Sequence, residues 1–150
     1  MYQIITDGSW DMGSERAARF GVEVVPYYVT MDGEHYLKEI KELDVRDFYQ
    51  FMVDNPKIFP KTSLPTVQDY YDVFEKYAKQ GIDIICFTLS AKFSGSYNSA
   101  RNAGSMILEN YPDIRVTVMD TTLATLMQGL MIQEILRFQR SGADYDKLIK

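Results

Sequence analysis

The residues best equipped for chemistry lie in three short stretches rich in hydroxyls and glycine: Ser94-Gly95-Ser96, Thr62-Ser63 and Asp7-Gly8-Ser9. The first follows a continuous apolar run, Ile84 to Leu89, and precedes Tyr97, Ala100, Gly104, Ile107 and Tyr111, which recur at spacings of three and four. A buried strand that turns through Ser and Gly into a helix leaves unpaired amides at the positive end of the helix dipole. Phosphate, sulfate or carboxylate can sit there. Ser94 is placed to cap the helix, Gly95 removes a Cβ from the approach, and the amides of Gly95, Ser96 and Tyr97 are expected to point outward. The plainer alternative is that Ser94 caps its own helix and binds nothing. Thr62 and Ser63, just ahead of another helix start, either offer hydroxyls to the same ligand or stiffen their own loop. Asp7 either orients a ligand or holds its turn through an Asx bond.

Other chemistries find little support. A serine hydrolase needs a base beside Ser94. The only histidine, His35, falls on an expected exposed hairpin, and no Gly-x-Ser-x-Gly elbow is present. The sequence holds no Walker A loop and no dinucleotide fingerprint. His35 has no cysteine or carboxylate at metal-ligand spacing, so no metal is expected.

The elements that must position these residues alternate between strand and helix. Tyr2–Thr6 reads as a first strand, and residues from about Asp11 to Phe20 as a helix closed by Gly21. Val22–Thr30 is strand-like, with Pro26 marking an edge or bulge. Asp32-Gly33 signals a hairpin returning through Leu37. Asp44 opens a helix that carries Val45, Phe48, Phe51 and Met52 on one face and ends before Pro56. Residues 57–65 read as irregular. Thr66-x-x-Asp69 opens a helix with Val67, Tyr70, Phe74 and Ala78 inward and Gly81 at its end. Ile114–Met119 is a further strand. Leu123–Phe138 is a helix, apolar nearly all round and interrupted at Gln128 and Gly129, which implies burial on more than one side. Phe93, Leu123, Met127 and Met131 are candidates for lining an apolar pocket, against the alternative of ordinary core. Gly142 ends that helix, and residues 144–150 look like the first turns of another. Strands alternating with helices give an α/β fold, a mainly parallel sheet with helices on both faces, in one domain spanning residues 1–150.

Composition is that of an ordinary globular chain: 150 residues, 46% hydrophobic and 25% charged. The net charge of −5 argues against nucleic acid or an anionic membrane as a partner. Cys86, the single cysteine, lies in the apolar run and reads as core. No apolar run approaches the roughly 20 residues that span a bilayer, and the N-terminus shows no signal-peptide pattern, so the expected location is the cytoplasm.

The segment Leu89–Ala100 resembles the "SSxLSGTYxSA" signature of the DegV family. Lys61–Thr66 resembles that family's "TSQPS" motif, Ile4–Ser9 its "ITDS(T/S)", and Met119-Asp120-Thr121 its later "DS". Gly8 departs from the family's serine. The resemblance spans residues 4 to 121 in the right order. It implies a DegV N-terminal domain of a two-domain design, with the second, C-terminal domain absent from this chain. It also implies a bacterial fatty-acid-binding protein and no enzymatic activity of its own. The ligand would be a long-chain fatty acid, its carboxylate held by Thr62, Ser63, Ser94, Gly95 and Ser96, for phosphorylation by the catalytic subunit of a fatty-acid kinase. A small phosphate ester or other anion at the same helix start is the alternative. Without a second domain, the chain is expected either to self-associate through the apolar helix from Leu123 or to bind fatty acid much more weakly than a two-domain form.

Overall fold

The computed structural model describes residues 1–150. The chain runs β1 (Tyr2–Asp7), a 3₁₀ turn (Gly8–Trp10), α1 (Gly13–Phe20), β2 (Glu23–Val25), β3 (Tyr28–Thr30), β4 (Leu37–Lys38), α2 (Val45–Asp54), β5 (Lys61–Ser63), α3 (Val67–Ala78), β6 (Asp83–Thr88), α4 (Ser96–Asn110), β7 (Val116–Asp120), α5 (Thr125–Arg140) and α6 (Tyr145–Leu148).

Strands β2-β1-β6-β7, in that spatial order, form an all-parallel sheet. Successive residues of a strand face opposite sides, and the pairing register carries that alternation across the sheet. Ile5 pairs with Cys86 and Ile4 with Ile85. On one side Ile5, Val25, Ile84 and Cys86 pack against Tyr70, Phe74 and Ala78 of α3 and Ala100, Ala103 and Ile107 of α4. On the other, Ile4, Val24, Ile85 and Phe87 meet Trp10, Met12, Ile132 and Leu136, with Ala17 and Phe20 of α1 at the margin. The helices therefore cover both faces, as the strand–helix alternation implies, and Cys86 is a fully buried core residue.

Local chemistry sets the element ends. Asp44 caps α2 by accepting the Arg46 and Asp47 amides. Thr66 and Asp69 form a reciprocal capping box on α3. Gly21, Gly81 and Gly142 close their helices in the left-handed region, where a Cβ would be strained.

The structure corrects several sequence expectations. Val22–Thr30 is two strands in two sheets, because Pro26 cannot donate to a ladder and breaks the run there. Residues 57–65, expected to be irregular, contain β5, which pairs with β3 in a second, antiparallel sheet ordered β4-β3-β5. Asp11 belongs to no helix; it sits left-handed at φ 56° and closes the 3₁₀ turn before α1 begins. The helix after Ser94 starts two residues later, with Gly95 rather than Ser94 at the N-cap. Helix α5 buries one face only: Leu126, Met127, Leu130 and Phe138 are exposed, whereas Gln128, Gly129, Ile132 and Leu136 are buried.

Candidate functional site

Three parallel strands deliver their carboxyl ends to one edge of the sheet: β1 at Asp7, β6 at Thr88 and β7 at Asp120. Ligands bind at such an edge in open α/β sheets. The loop from Leu89 to Gly95 is fastened there. The Ser90 amide donates to the Leu123 carbonyl at 2.9 Å, and the Ala91 amide to Asp120 Oδ1 at 3.2 Å. The Thr121 hydroxyl donates back to the Thr88 carbonyl at 2.9 Å. The Asp120-Thr121 pair at the end of β7 thus holds the loop.

At the helix start the Ser96 amide donates to Ser94 Oγ at 3.2 Å, so Ser94 satisfies a first-turn amide from outside the cap position. The amides of Gly95, Tyr97 and Asn98 have no acceptor within the chain. Ser94 and Gly95 are half-buried and Ser96 is fully buried. The Ser96 hydroxyl turns inward, donating to Asp7 Oδ2 at 2.9 Å and lying 2.5 Å from the Tyr70 hydroxyl. The outward-facing groups are therefore Ser94 Oγ and the Gly95, Tyr97 and Asn98 amides, and Ser96 is tied into the wall behind them.

Strand β5 brings Thr62 and Ser63 alongside, exposed and without side-chain hydrogen bonds. Leu64 lies against Gly95: a Cβ built on that glycine would meet Leu64 Cδ2 at 3.4 Å. Thr62 pairs with Val29 and Ser63 with Tyr28, so the two hydroxyls fall on opposite faces of the small sheet. Thr62 shares its face with Val29. The Tyr27 hydroxyl is 3.3 Å from Ser94 Oγ. The register therefore puts Thr62 on the Val29 face and Ser63 on the Tyr28 face.

Asp7 ties this arrangement together. It is completely buried, and its Oδ2 accepts from the Leu89 amide at 2.9 Å, from Ser96 Oγ and, at 3.4 Å, from the Tyr27 hydroxyl. Its Oδ1 accepts from Gln128 Nε2 at 3.0 Å. Burial pushes the Asp7 carboxyl up, against the lowering effect of the Leu89 amide, Gln128 and Ser96. Burial likewise raises the Tyr27 phenol, and the charge of Asp7 adds to it. Beyond the Ser9 amide in its own turn, Asp7 joins β1, the β6 loop, α4, α5 and the Tyr27 segment. Ser9 next to it caps α5, accepting the Thr125 amide at 3.1 Å.

Beside this centre lies a cavity of about 320 Å³ lined by Gly8, Asp11, Val29, Glu39, Ile40, Leu43, Val45, Phe48 and Tyr49. Gly8 is required there: a Cβ would sit 1.5 Å from Glu39 Oε1. Without it, Glu39 reaches in and accepts the Tyr27 amide at 2.9 Å. Ile40 is held at φ 67°, an unusual conformation for a β-branched residue. The four residues expected to line an apolar pocket do not meet in this or any other cavity. Phe93 is 80% exposed and Met127 59% exposed. Leu123 is half-buried beside the Ser90 loop, and Met131 packs at the margin of the core.

Tyr27, Glu39, Tyr70 and Gln128 were not read from the sequence as residues of this centre. Gln128 alone carried a signal, as a lone polar residue on an otherwise apolar helix face whose burial demands a polar partner. His35 is far from the role of a base: it is exposed and pairs with Asp32 at 2.6 Å. No group of His, Cys, Asp or Glu is arranged to hold a metal ion.

A parallel α/β domain whose sheet edge carries a helix start with three unpaired amides, beside a cavity of about 320 Å³, defines the architecture. The chain belongs to the DegV family, whose sequence model, described as that of an uncharacterised protein, matches residues 1–150. A DegV domain-containing protein of Clostridium perfringens is 33% identical over 148 residues, covering 99% of this chain and 51% of the relative. The fold matches a stearic-acid-binding protein from Eubacterium ventriosum with a TM-score of 0.94 and 42% identity, over 99% of this chain and 51% of that one. A fatty-acid-binding DegV protein from Thermus thermophilus matches with a TM-score of 0.80 and 27% identity, over 99% and 50%. The chain thus spans about half the length of the relatives it matches. No helix is long and apolar enough to cross a membrane.

Proposed function

We propose that this chain binds a long-chain fatty acid through the Ser94-Gly95 helix start and presents its carboxylate to a partner that acts on it. The observation that carries the reading is the set of outward groups at one point, Ser94 Oγ and the free amides of Gly95, Tyr97 and Asn98, within a family whose similar members bind fatty acids. Thr62, exposed on β5 two residues before the Leu64 that packs on Gly95, adds a donor. Hydrogen bonds to a charged acceptor contribute about 1.5–3 kcal/mol each. The acyl chain contributes about 0.8 kcal/mol per buried CH₂. The tail enters the apolar cavity of Val29, Ile40, Leu43, Val45 and Phe48, which has the enclosure that the exposed Phe93 and Met127 lack.

In this reading the chain does no chemistry itself. Ser94 has a phenol and an amide as neighbours and no imidazole, so nothing there activates it as a nucleophile. A fatty-acid kinase subunit is the proposed partner, consuming the presented carboxylate as an acyl phosphate. The test is extraction of the purified, denatured protein followed by mass spectrometry of the lipid fraction. A saturated or monounsaturated long-chain acid at a stoichiometric level is expected. A phosphate ester in its place would support the alternative anion.

A further inference from the structure

We propose that Asp7 and Tyr27 are positioning residues of the head-group site, and that binding a carboxylate there takes up one proton from solvent, shared between Asp7 and the ligand along the Asp7–Tyr27–Ser94 chain. The inference rests on the fatty-acid reading above and deepens it.

Hydrogen-bond accounting carries the argument. Tyr27 has one hydroxyl proton and two neighbours, Asp7 Oδ2 at 3.4 Å and Ser94 Oγ at 3.3 Å. Ser94 Oγ already accepts the Ser96 amide. When Asp7 is ionised it can only accept. Tyr27 then donates inward to Asp7, and the Tyr27 oxygen competes with a ligand for the single Ser94 hydroxyl proton. When Asp7 carries a proton the chain reverses. Asp7 donates to Tyr27, Tyr27 to Ser94, and the Ser94 proton points outward, where a carboxylate accepts it.

Electrostatics favour the reversal on binding. Asp7 is fully buried, and no ion pair of the fold includes it. The groups that face it are Tyr27 ahead of β3, Tyr70 from α3, Cys86 and the Leu89 amide from β6 and its loop, Ser96 from α4, Gln128 from α5, and Glu39 beyond Gly8. All are neutral or acidic. A second carboxylate on Ser94 lies three hydrogen bonds from Asp7 with no cation facing Asp7, so each negative charge disfavours ionisation of the other carboxyl. The balance is simple: two carboxylates and one solvent proton end as a site with one negative charge. Burial already raises the Asp7 carboxyl before any ligand arrives.

The test is calorimetric titration with sodium oleate, below its micelle threshold, in buffers of different ionisation heat. Wild type is expected to take up about one proton per oleate, with affinity falling about tenfold per pH unit above neutrality. Asp7→Asn should abolish both the uptake and the pH slope. Tyr27→Phe should lower affinity and flatten the slope, and it decides the question should Asp7→Asn fail to fold. Oleate binding whose heat is independent of the buffer overturns the coupling alone. So does full one-proton uptake in Tyr27→Phe or in folded Asp7→Asn. No oleate binding at any pH overturns the fatty-acid reading, and the coupling with it.

Discussion

Ser94 and Asp69 show how single residues separate function from stability. Ser94 supplies no cap at the N-cap position, yet it holds the Ser96 amide and faces outward. Ser94→Ala should weaken fatty-acid binding by about 1–3 kcal/mol, and Thr62→Val should act in the same direction. Fluorescent fatty-acid displacement would measure both, with wild-type affinity in both folded variants as the contrary result. Asp69 belongs to stability. Burial raises its carboxyl, but the Thr66 hydroxyl, Lys38, the Thr66 amide and Tyr28 outweigh that and hold it at about 2. A carboxyl depressed in the folded state adds stability above its unfolded value and loses it as pH falls through the folded one. Acid unfolding should therefore steepen as pH drops from about 4 toward about 2, and Asp69→Asn should flatten that limb. Denaturant midpoints across this range provide the check.

Among the elements, those with strong local periodicity were legible and those made by distant pairing were not. The turn from β6 into α4 could be read because a β-branched apolar run gives way to a helical stripe within one short segment. Strand β5 could not, because Lys61–Ser63 has no apolar alternation of its own and gains its ladder from β3, more than thirty residues earlier. Asp7 was visible as a residue and invisible as a hub, since its partners lie 20 to 121 positions away. The Gly8–Glu39 fit has the same character: the departure from the family's serine was legible, the carboxylate filling its space was not. Gly129 was read only as an interruption of α5. It is where that helix touches the 3₁₀ turn: a Cβ there would lie 2.3 Å from the Trp10 carbonyl and 2.7 Å from Met12 Cε. Gly129→Ala should force α5 outward and cost about 1–3 kcal/mol, although alanine is the better helix former. Urea unfolding of this variant beside an exposed control such as Glu134→Ala would show whether packing outweighs propensity.

At the scale of the molecule, fold class and the alternation of strand and helix were readable. The split into two sheets and the one-sided burial of α5 were not. Amphipathicity reports what a face prefers, and whether a partner covers it depends on chain beyond the helix. Leu126, Met127, Leu130 and Phe138 leave an apolar face uncovered in this chain. Such faces on soluble domains mark association or aggregation. Sedimentation of the chain should show concentration-dependent association that Met127→Gln with Leu130→Gln reduces; a monomer at all concentrations would contradict it. Met131 is a poor choice for that experiment, because it packs against the core.

The central claim is that a fatty-acid carboxylate docks on the helix start after β6. Titration of ¹⁵N-labelled protein with sodium oleate, followed by amide NMR, tests it most directly. The account predicts saturable changes, largest at the Gly95, Tyr97 and Asn98 amides, with smaller ones at Thr62 and along Val29, Leu43 and Val45. Saturable binding that leaves those three amides unmoved, or no response to oleate at all, would contradict it.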